Sequence, residues 1–244
     1  MKLPEQEKAA QKAAFRAMSP AKKLEHIYTY YKWPILLGLI ALAVLLSVLN
    51  RELTKKDPVL YLALVNVVVG EDAESALTDG FLAYSQADPR REEVYLYRDL
   101  YLSEDADVLD HEYAYASQMK LTGAIQAQKL DVVVMNREAY DIFSSHGYLA
   151  DLSAPADESG KPWPSQLAPL LTENEVILSD NSLEIMLGEA IEAERVVRSV
   201  PNAAAADALP LFQGAGFDGE LYIGVVANSP RAGQAAQFLQ YLLP

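Results

Sequence analysis

Residues 59–244 predict an α/β domain with a mostly parallel sheet and flanking helices, on three observations. Val59–Val69 (VLYLALVNVVV) is a long β-rich apolar run, suited to a strand buried on both faces. The segments after it alternate between strand-like and helix-like periodicity, with Gly70, Asn136 and Gly147 at the boundaries. Strands separated in this way by helices imply parallel pairing through right-handed crossovers, here a βαβαβα unit.

Taken in order, Gly70 ends the first strand, and Ala73, Ala76, Leu77, Phe81 and Tyr84 mark one face of a helix. Glu93–Arg98 (EVYLYR) is the second strand, with Val94 and Leu96 alternating against Tyr95 and Tyr97. A helix from about Asp110 to Lys129 carries Leu121, Ala124 and Ile125 on one side. Asp131–Met135 is a short buried strand, and Asn136 stands where it would cap the helix that ends near Gly147. Residues 152–175 are loop-like, with Pro155, Pro162 and Pro164. Short strands are expected at Glu175–Leu178 and Glu194–Val200, around the helix-prone Leu183–Ala193, while Ala203–Ala208 is ambiguous. Glu220–Ala227 closes the pattern as a strand, and Ser229-Pro230 starts a last helix with Ala232, Ala235, Leu239 and Leu242 inward.

Ahead of this domain, residues 33–50 carry no charge and match the roughly 17–25 residues that span a bilayer. Tyr28, Tyr30, Tyr31 and Trp33 gather at one edge, where amphipathic rings favour the headgroup depth, and Arg51, Lys55 and Lys56 close the other. More than thirty residues precede the run, and it ends in Val48-Leu49-Asn50-Arg51 without a small-residue cleavage site, so an uncleaved transmembrane helix is expected. Four domains follow from this: a basic helical tail (1–32), the span (33–50), a linker (51–58) and the α/β domain (59–244). In the tail, Ser19 and Pro20 start a helix whose face carries Leu24, Ile27, Tyr28 and Tyr31. It is expected to lie on the inner membrane surface, with Pro34 bending the chain into the bilayer; a straight extension of the span is the alternative. A small Lys/Arg excess before the span, and the fact that long domains translocate largely regardless of their charge, lead to the expectation of a cytoplasmic N-terminus and an extracellular C-terminal domain.

Charge and composition remove several functions. Residues 1–50 hold seven Lys/Arg against three Asp/Glu, and the rest holds thirteen against thirty-one, giving +4 and −18. A domain that acidic repels phosphate backbones, so no nucleic-acid partner is expected, whereas membrane lipid attracts the tail. The chain has no cysteine. It also lacks G-x-S-x-G, H-E-x-x-H, G-x-x-x-x-G-K-[ST] and G-x-G-x-x-G, and its acids form no distinguished pair. No cofactor and no catalytic residue is assigned. His26, His111 and His146 are too scattered for zinc, with His26 ahead of the span. The run Ser103–Glu112 is rich in carboxylates but lacks the glycine and spacing of a calcium loop; acids entering a helix N-terminus explain it more simply. No metal site is assigned.

Two stretches, Tyr115–Ser153 and Leu221–Leu243, resemble the extracellular solute-binding proteins of bacterial ABC importers. The likeness rests on the strand Asp131–Val134, the segment Gly147–Leu152 and the strand-to-helix segment Asn228–Leu242. With the TYYKWPI segment and a single span, the chain also looks like membrane-anchored, shortened relatives of that family in Gram-positive, Clostridia-like bacteria. The resemblance implies one periplasmic-binding-protein-like lobe, with the second reduced or absent, held by the transmembrane helix in place of an acylated cysteine.

In an open α/β sheet, ligands sit beyond the carboxyl ends of the strands. Asn66, Gly70 and Asn136 fall there, and Ser117 and Gln118 in the preceding helix approach the same edge; capping and turn chemistry is the competing account of these polar residues. Tyr95, Tyr97, Tyr101, Tyr113 and Tyr115 form a dense aromatic group, suited to sugar or peptide stacking or to packing at the rim of a core. The expected ligand-binding set is Asn66, Gly70, Tyr95, Tyr97, Ser117 and Asn136. The expected function is non-catalytic binding of a small solute or peptide, with a membrane-protein partner also possible. A protein-interaction module that kept the fold without the pocket is the first alternative, and a carboxylate hydrolase the second.

Overall fold

The computed structural model describes residues 19–103, 110–156, 160–187, 192–213 and 219–244; within 20–54, side chains are described at 28, 32–47, 49 and 50. Residues 1–55 and 56–244 form two separate units. In the first, Pro20 opens helix α1 (Pro20–Thr54), with Ser19 extended before it although its hydroxyl caps no amide. The helix is continuous through Pro34, so the tail from Pro20 and the apolar run are one element rather than two. Proline removes one backbone donor, and helical turns on both sides can hold across that gap. Among the described residues no helix is long and apolar enough to cross a membrane. The expected span, 33–50, includes the Val48 side chain, which lies outside the described residues, as does the tail before Ser19.

In the second unit, strand periodicity builds one sheet. Its strands are β1 (Asp57–Val65), β2 (Glu92–Leu100), β3 (Val132–Asn136), β4 (Leu171–Asp180), β5 (Arg195–Ala205) and β6 (Leu221–Val225), in the order β2-β1-β3-β6-β5-β4. Alternation along β1 sends Leu60, Leu62 and Leu64 to one face, where Leu77, Phe81, Phe238 and Leu239 meet them. Ala63 and Val65 go to the other, against Leu121, Ile125, Tyr140 and Phe143. α2 (Glu71–Ser75) leads into a π-helical turn (Ala76–Gly80) and α3 (Phe81–Ser85), and the first face is covered by that turn, α3 and α7 (Ala232–Leu242). The second is covered by α4 (His111–Gln126) and α5 (Arg137–Ser145).

The sheet is mixed, which corrects the mostly parallel expectation. β1 pairs in parallel with β2 and β3, as the crossover helices require, but β3–β6, β6–β5 and β5–β4 are antiparallel. Parallel pairing needs a crossover of a dozen or more residues, usually a helix. Among the described residues the helix between β4 and β5 is the short α6 (Ser182–Met186), and those between β5 and β6 form turns.

Three boundaries differ from the periodicity. β1 stops at Val65 because Asn66 adopts a left-handed backbone (φ 57°), which leaves Val68 85% exposed. β4 and β5 extend well beyond Glu175–Leu178 and Glu194–Val200, and Ala203–Ala205 resolve as strand, with Ala204 and Ala205 beside Ile223 and Tyr222. The expected helix Leu183–Ala193 is reduced to α6, and residues 188–191 lie outside the described residues. The described part of 154–218 therefore builds no second lobe but adds two strands to the same sheet. β5 meets β6 only at Ala204 and Ala205 yet pairs with β4 from Arg195 to Ala204. The outer halves of β4 and β5 are thus a two-stranded arm.

Candidate functional site

At the carboxyl edge of the parallel strands, Asn66 turns its side chain along the backbone of the segment after β2. Its Nδ2 donates to Leu102 O and its Oδ1 accepts from Leu102 N, both at 2.7 Å. Asn136 accepts from the Ala139 amide at 3.0 Å and caps α5. Ser103 Oγ donates to Glu138. Gly70 precedes α2 in an extended conformation, and a Cβ built there meets nothing within 4 Å, so no close approach requires glycine. Ser117 is buried within α4. The edge groups expected to hold a solute are hydrogen-bonded within the fold, as the capping account requires for Asn136.

Beside that edge, α4 and α5 leave a groove of about 260 Å³ lined by Leu102, Ser103, His111, Tyr115, Gln118 and His146, among others. Two of the three histidines, read from sequence as scattered, meet here. His146 Nδ1 lies 2.8 Å from Ile142 O, so in the neutral ring Nδ1–H donates and Nε2 is left unprotonated. Its ring stacks on Tyr148 at 5.4 Å. No group of three or more metal-ligating side chains occurs among the described residues. The carboxylate run after Ser103 falls largely at 104–109, outside them.

The tyrosines divide. Tyr95 and Tyr97 on edge strand β2 join Tyr61 on β1, because the parallel register sets Tyr61 beside Tyr95 and Ala63 beside Tyr97. The three ring centroids are 4.8–6.4 Å apart. Tyr113 instead donates to the Asp99 carbonyl, and Tyr115 lines the groove. Arg231 lies 4.7 Å over the Tyr61 ring and Lys120 is 5.5 Å from that of Tyr97. Periodicity had no means of finding Tyr61, which sits inside an apolar run, or Arg231, remote in sequence. The patch stands on the fully buried Asp131, which accepts from Tyr61 N, Ser229 Oγ and Arg231 Nε.

Burial, then the neighbouring Tyr95 and Tyr61, push the Tyr97 phenol up to about 12 from an ordinary 10.0. A raised folded value means the folded state holds this proton after the unfolded chain has lost it. Stability from this group is therefore complete below about pH 10 and declines as pH rises towards 12. Burial also raises Tyr140, Tyr222 and Tyr241, so phenolate absorbance should show several late-titrating tyrosines, one fewer in Tyr97→Phe, and that variant should lose less stability than wild type between pH 10 and 12.

On the opposite face, Leu152, Pro155, Pro162, Trp163 and Leu167 contribute to the walls of a cavity of about 430 Å³. The Trp163 Nε1–H is buried without a hydrogen-bond partner among the described residues. The six sequence-derived residues thus fall in three places: Asn66, Gly70 and Asn136 at the strand edge, Tyr95 and Tyr97 on the β2 face, and Ser117 inside α4. They do not share one pocket. No protein-family model, no curated protein and no solved structure matches the chain.

Proposed function

We propose that this chain is a membrane-tethered, non-catalytic interaction domain, built on a solute-binding type of lobe whose ligand edge is closed. One observation carries the reading: Asn66 and Asn136, the polar groups best placed for a solute, already bind Leu102 and Ala139. The tether is supported by the uncharged run 33–50 and by the exposure of Ile35, Leu37, Ile40 and Leu45 along α1. On this reading the N-terminus is cytoplasmic and the domain extracellular. Protease added outside intact cells should remove residues 56–244 and leave the tail protected.

The test of binding is thermal unfolding of residues 56–244 against amino acids, sugars, short peptides and divalent cations. The expected result is no shift. A ligand at a hundred times its dissociation constant stabilises a folded state by about 2.7 kcal/mol, a rise of roughly 5–11 °C for a domain of this size, so a receptor would be obvious. Such a shift would overturn the interaction reading in favour of a tethered solute receptor. The α4–α5 groove is the place to follow it, since His111, Tyr115, Gln118 and His146 converge there. Gln118→Ala should then abolish it.

A further inference from the structure

We infer that the β4–β5 arm is a self-association surface, and that its occupant is the arm of a second copy of this chain. The inference rests on the interaction reading and specifies its partner. A two-stranded ribbon is marginal alone in water, and among the described residues this one is hydrogen-bonded to the domain at its root. There Tyr140 Oη donates to Thr172 O, Ser144 Oγ to Glu175 O, and Asn174 Nδ2 to Asp141, at 2.7–2.9 Å. Beyond Val176 no hydrogen bond ties the arm back to α5 or the central sheet among the described residues.

That outer part is also where apolar side chains stand in water: Leu178, Leu183, Met186, Leu187, Val196 and Val197, with Met186 75% exposed. Exposed apolar side chains gathered on one segment mark an interaction site. Its charges select the occupant. β4 carries Glu173, Glu175 and Asp180 with no Lys or Arg, and β5 carries Arg195 and Arg198 with no Asp or Glu. A two-fold axis along the arm lays the acidic strand of one copy over the basic strand of the other and brings the two tips together. The apolar residues that face the axis are then enclosed, and the contact closes as a dimer instead of propagating. A lipid surface fits less well, because Asp180, Glu184, Glu192 and Glu194 ring the tip and anionic headgroups repel them. Tethering both copies in one membrane would raise their effective concentration.

Residues 56–244 serve for the test, since both hydrophobic clusters lie wholly inside them. Sedimentation equilibrium over the micromolar range should show a monomer–dimer equilibrium. Leu183→Glu with Met186→Glu, both exposed, should raise the dimer dissociation constant at least about a hundredfold, with circular dichroism and melting temperature of the monomer unchanged. The chain has no cysteine, so Met186→Cys should cross-link into dimers under mild oxidation while Tyr84→Cys, exposed on α3 outside the arm, should not. A monomer throughout, a dimer that survives the double glutamate variant, or partition of the arm into vesicles in place of self-association overturns the inference. These outcomes are separable from the earlier test. Ligand-induced stabilisation sinks the interaction reading whatever the association state. A ligand-insensitive monomer leaves that reading standing with a foreign partner.

Discussion

Asp131→Ala is expected to destabilise residues 56–244 by about 3–5 kcal/mol, the cost of removing one partner from a buried charged network. The carboxylate is 0% exposed and has three donors: Tyr61 N at 2.7 Å, Ser229 Oγ at 2.6 Å and Arg231 Nε at 2.8 Å. Its own backbone donates to Tyr61 O and accepts from Val226 N. One residue therefore ties β1, β3 and the segment entering α7. Alanine leaves the Tyr61 amide and the Ser229 hydroxyl without their acceptor and a guanidinium, 23% exposed, without its counter-charge. At roughly 2–4 °C per kcal/mol for a domain of this length, the melting temperature should fall by about 6–20 °C. Asp131→Asn keeps the shape and one acceptor oxygen and should lose less. Arg231→Met should lose less than Asp131→Ala, because the carboxylate keeps its two other donors. Urea unfolding of the three variants checks the order. A loss below about 1 kcal/mol for alanine would remove the structural account of Asp131.

The parts of the fold legible in sequence are those where one local signal suffices. β1 and β3 are continuous apolar runs, Asn136 sits between an apolar strand and an amphipathic helix, and Ala235, Leu239 and Leu242 repeat at helical spacing. What sequence could not supply was direction and length. Strand orientation depends on what the connection does in space, and the same apolar pattern at β6 serves a parallel or an antiparallel neighbour. β4 and β5 were underestimated because strand pairing, not side-chain alternation, extends them. The stretch Ala203–Ala208 is ambiguous in sequence, yet Ala204 and Ala205 lie where β5 pairs with β6. A side chain on Gly224 would come within 3.3 Å of the Asn202 carbonyl and 2.9 Å of Leu149, so that passage needs a residue without one.

The candidate site was less legible, for a related reason. Asn66 at the end of a strand reads the same whether it faces a ligand or clamps Leu102, and only the partner, thirty-six residues on, decides. The tyrosines of β2 were visible as a cluster, but proximity in sequence grouped them with Tyr113 and Tyr115 when register groups them with Tyr61. His111 and His146 share a groove through the packing of two helices. The apolar tip residues around Leu183 have helical spacing, which a buried helix and an exposed one share; burial alone separates them.

Asn202 carries the second large effect, and it bears on the arm. Its side chain is fully buried in β5, its Oδ1 sharing the single Tyr140 Oη proton with Thr172 O, each at 2.9 Å, and its Nδ2 donating to Ser144 Oγ at 2.7 Å. Those two hydroxyls in turn hold the carbonyls of Thr172 and Glu175 in β4. The amide thus joins α5 to both strands of the arm at its root. Asn202→Ala should cost about 2–4 kcal/mol, combining two lost buried hydrogen bonds with the space left behind. Each hydroxyl keeps its carbonyl, so the network loosens and does not collapse. The loss should consequently be uneven across the sheet. Hydrogen exchange should accelerate in β4 and the outer half of β5 by more than the global destabilisation explains, while β1 and β3 follow the global value. Ser144→Ala should reproduce the pattern at about 1 kcal/mol. If instead β1 and β4 lose protection equally, the arm is part of one cooperative unit with the sheet. Its outer strands would then be held by pairing alone, and the root contacts would not determine where the tip points.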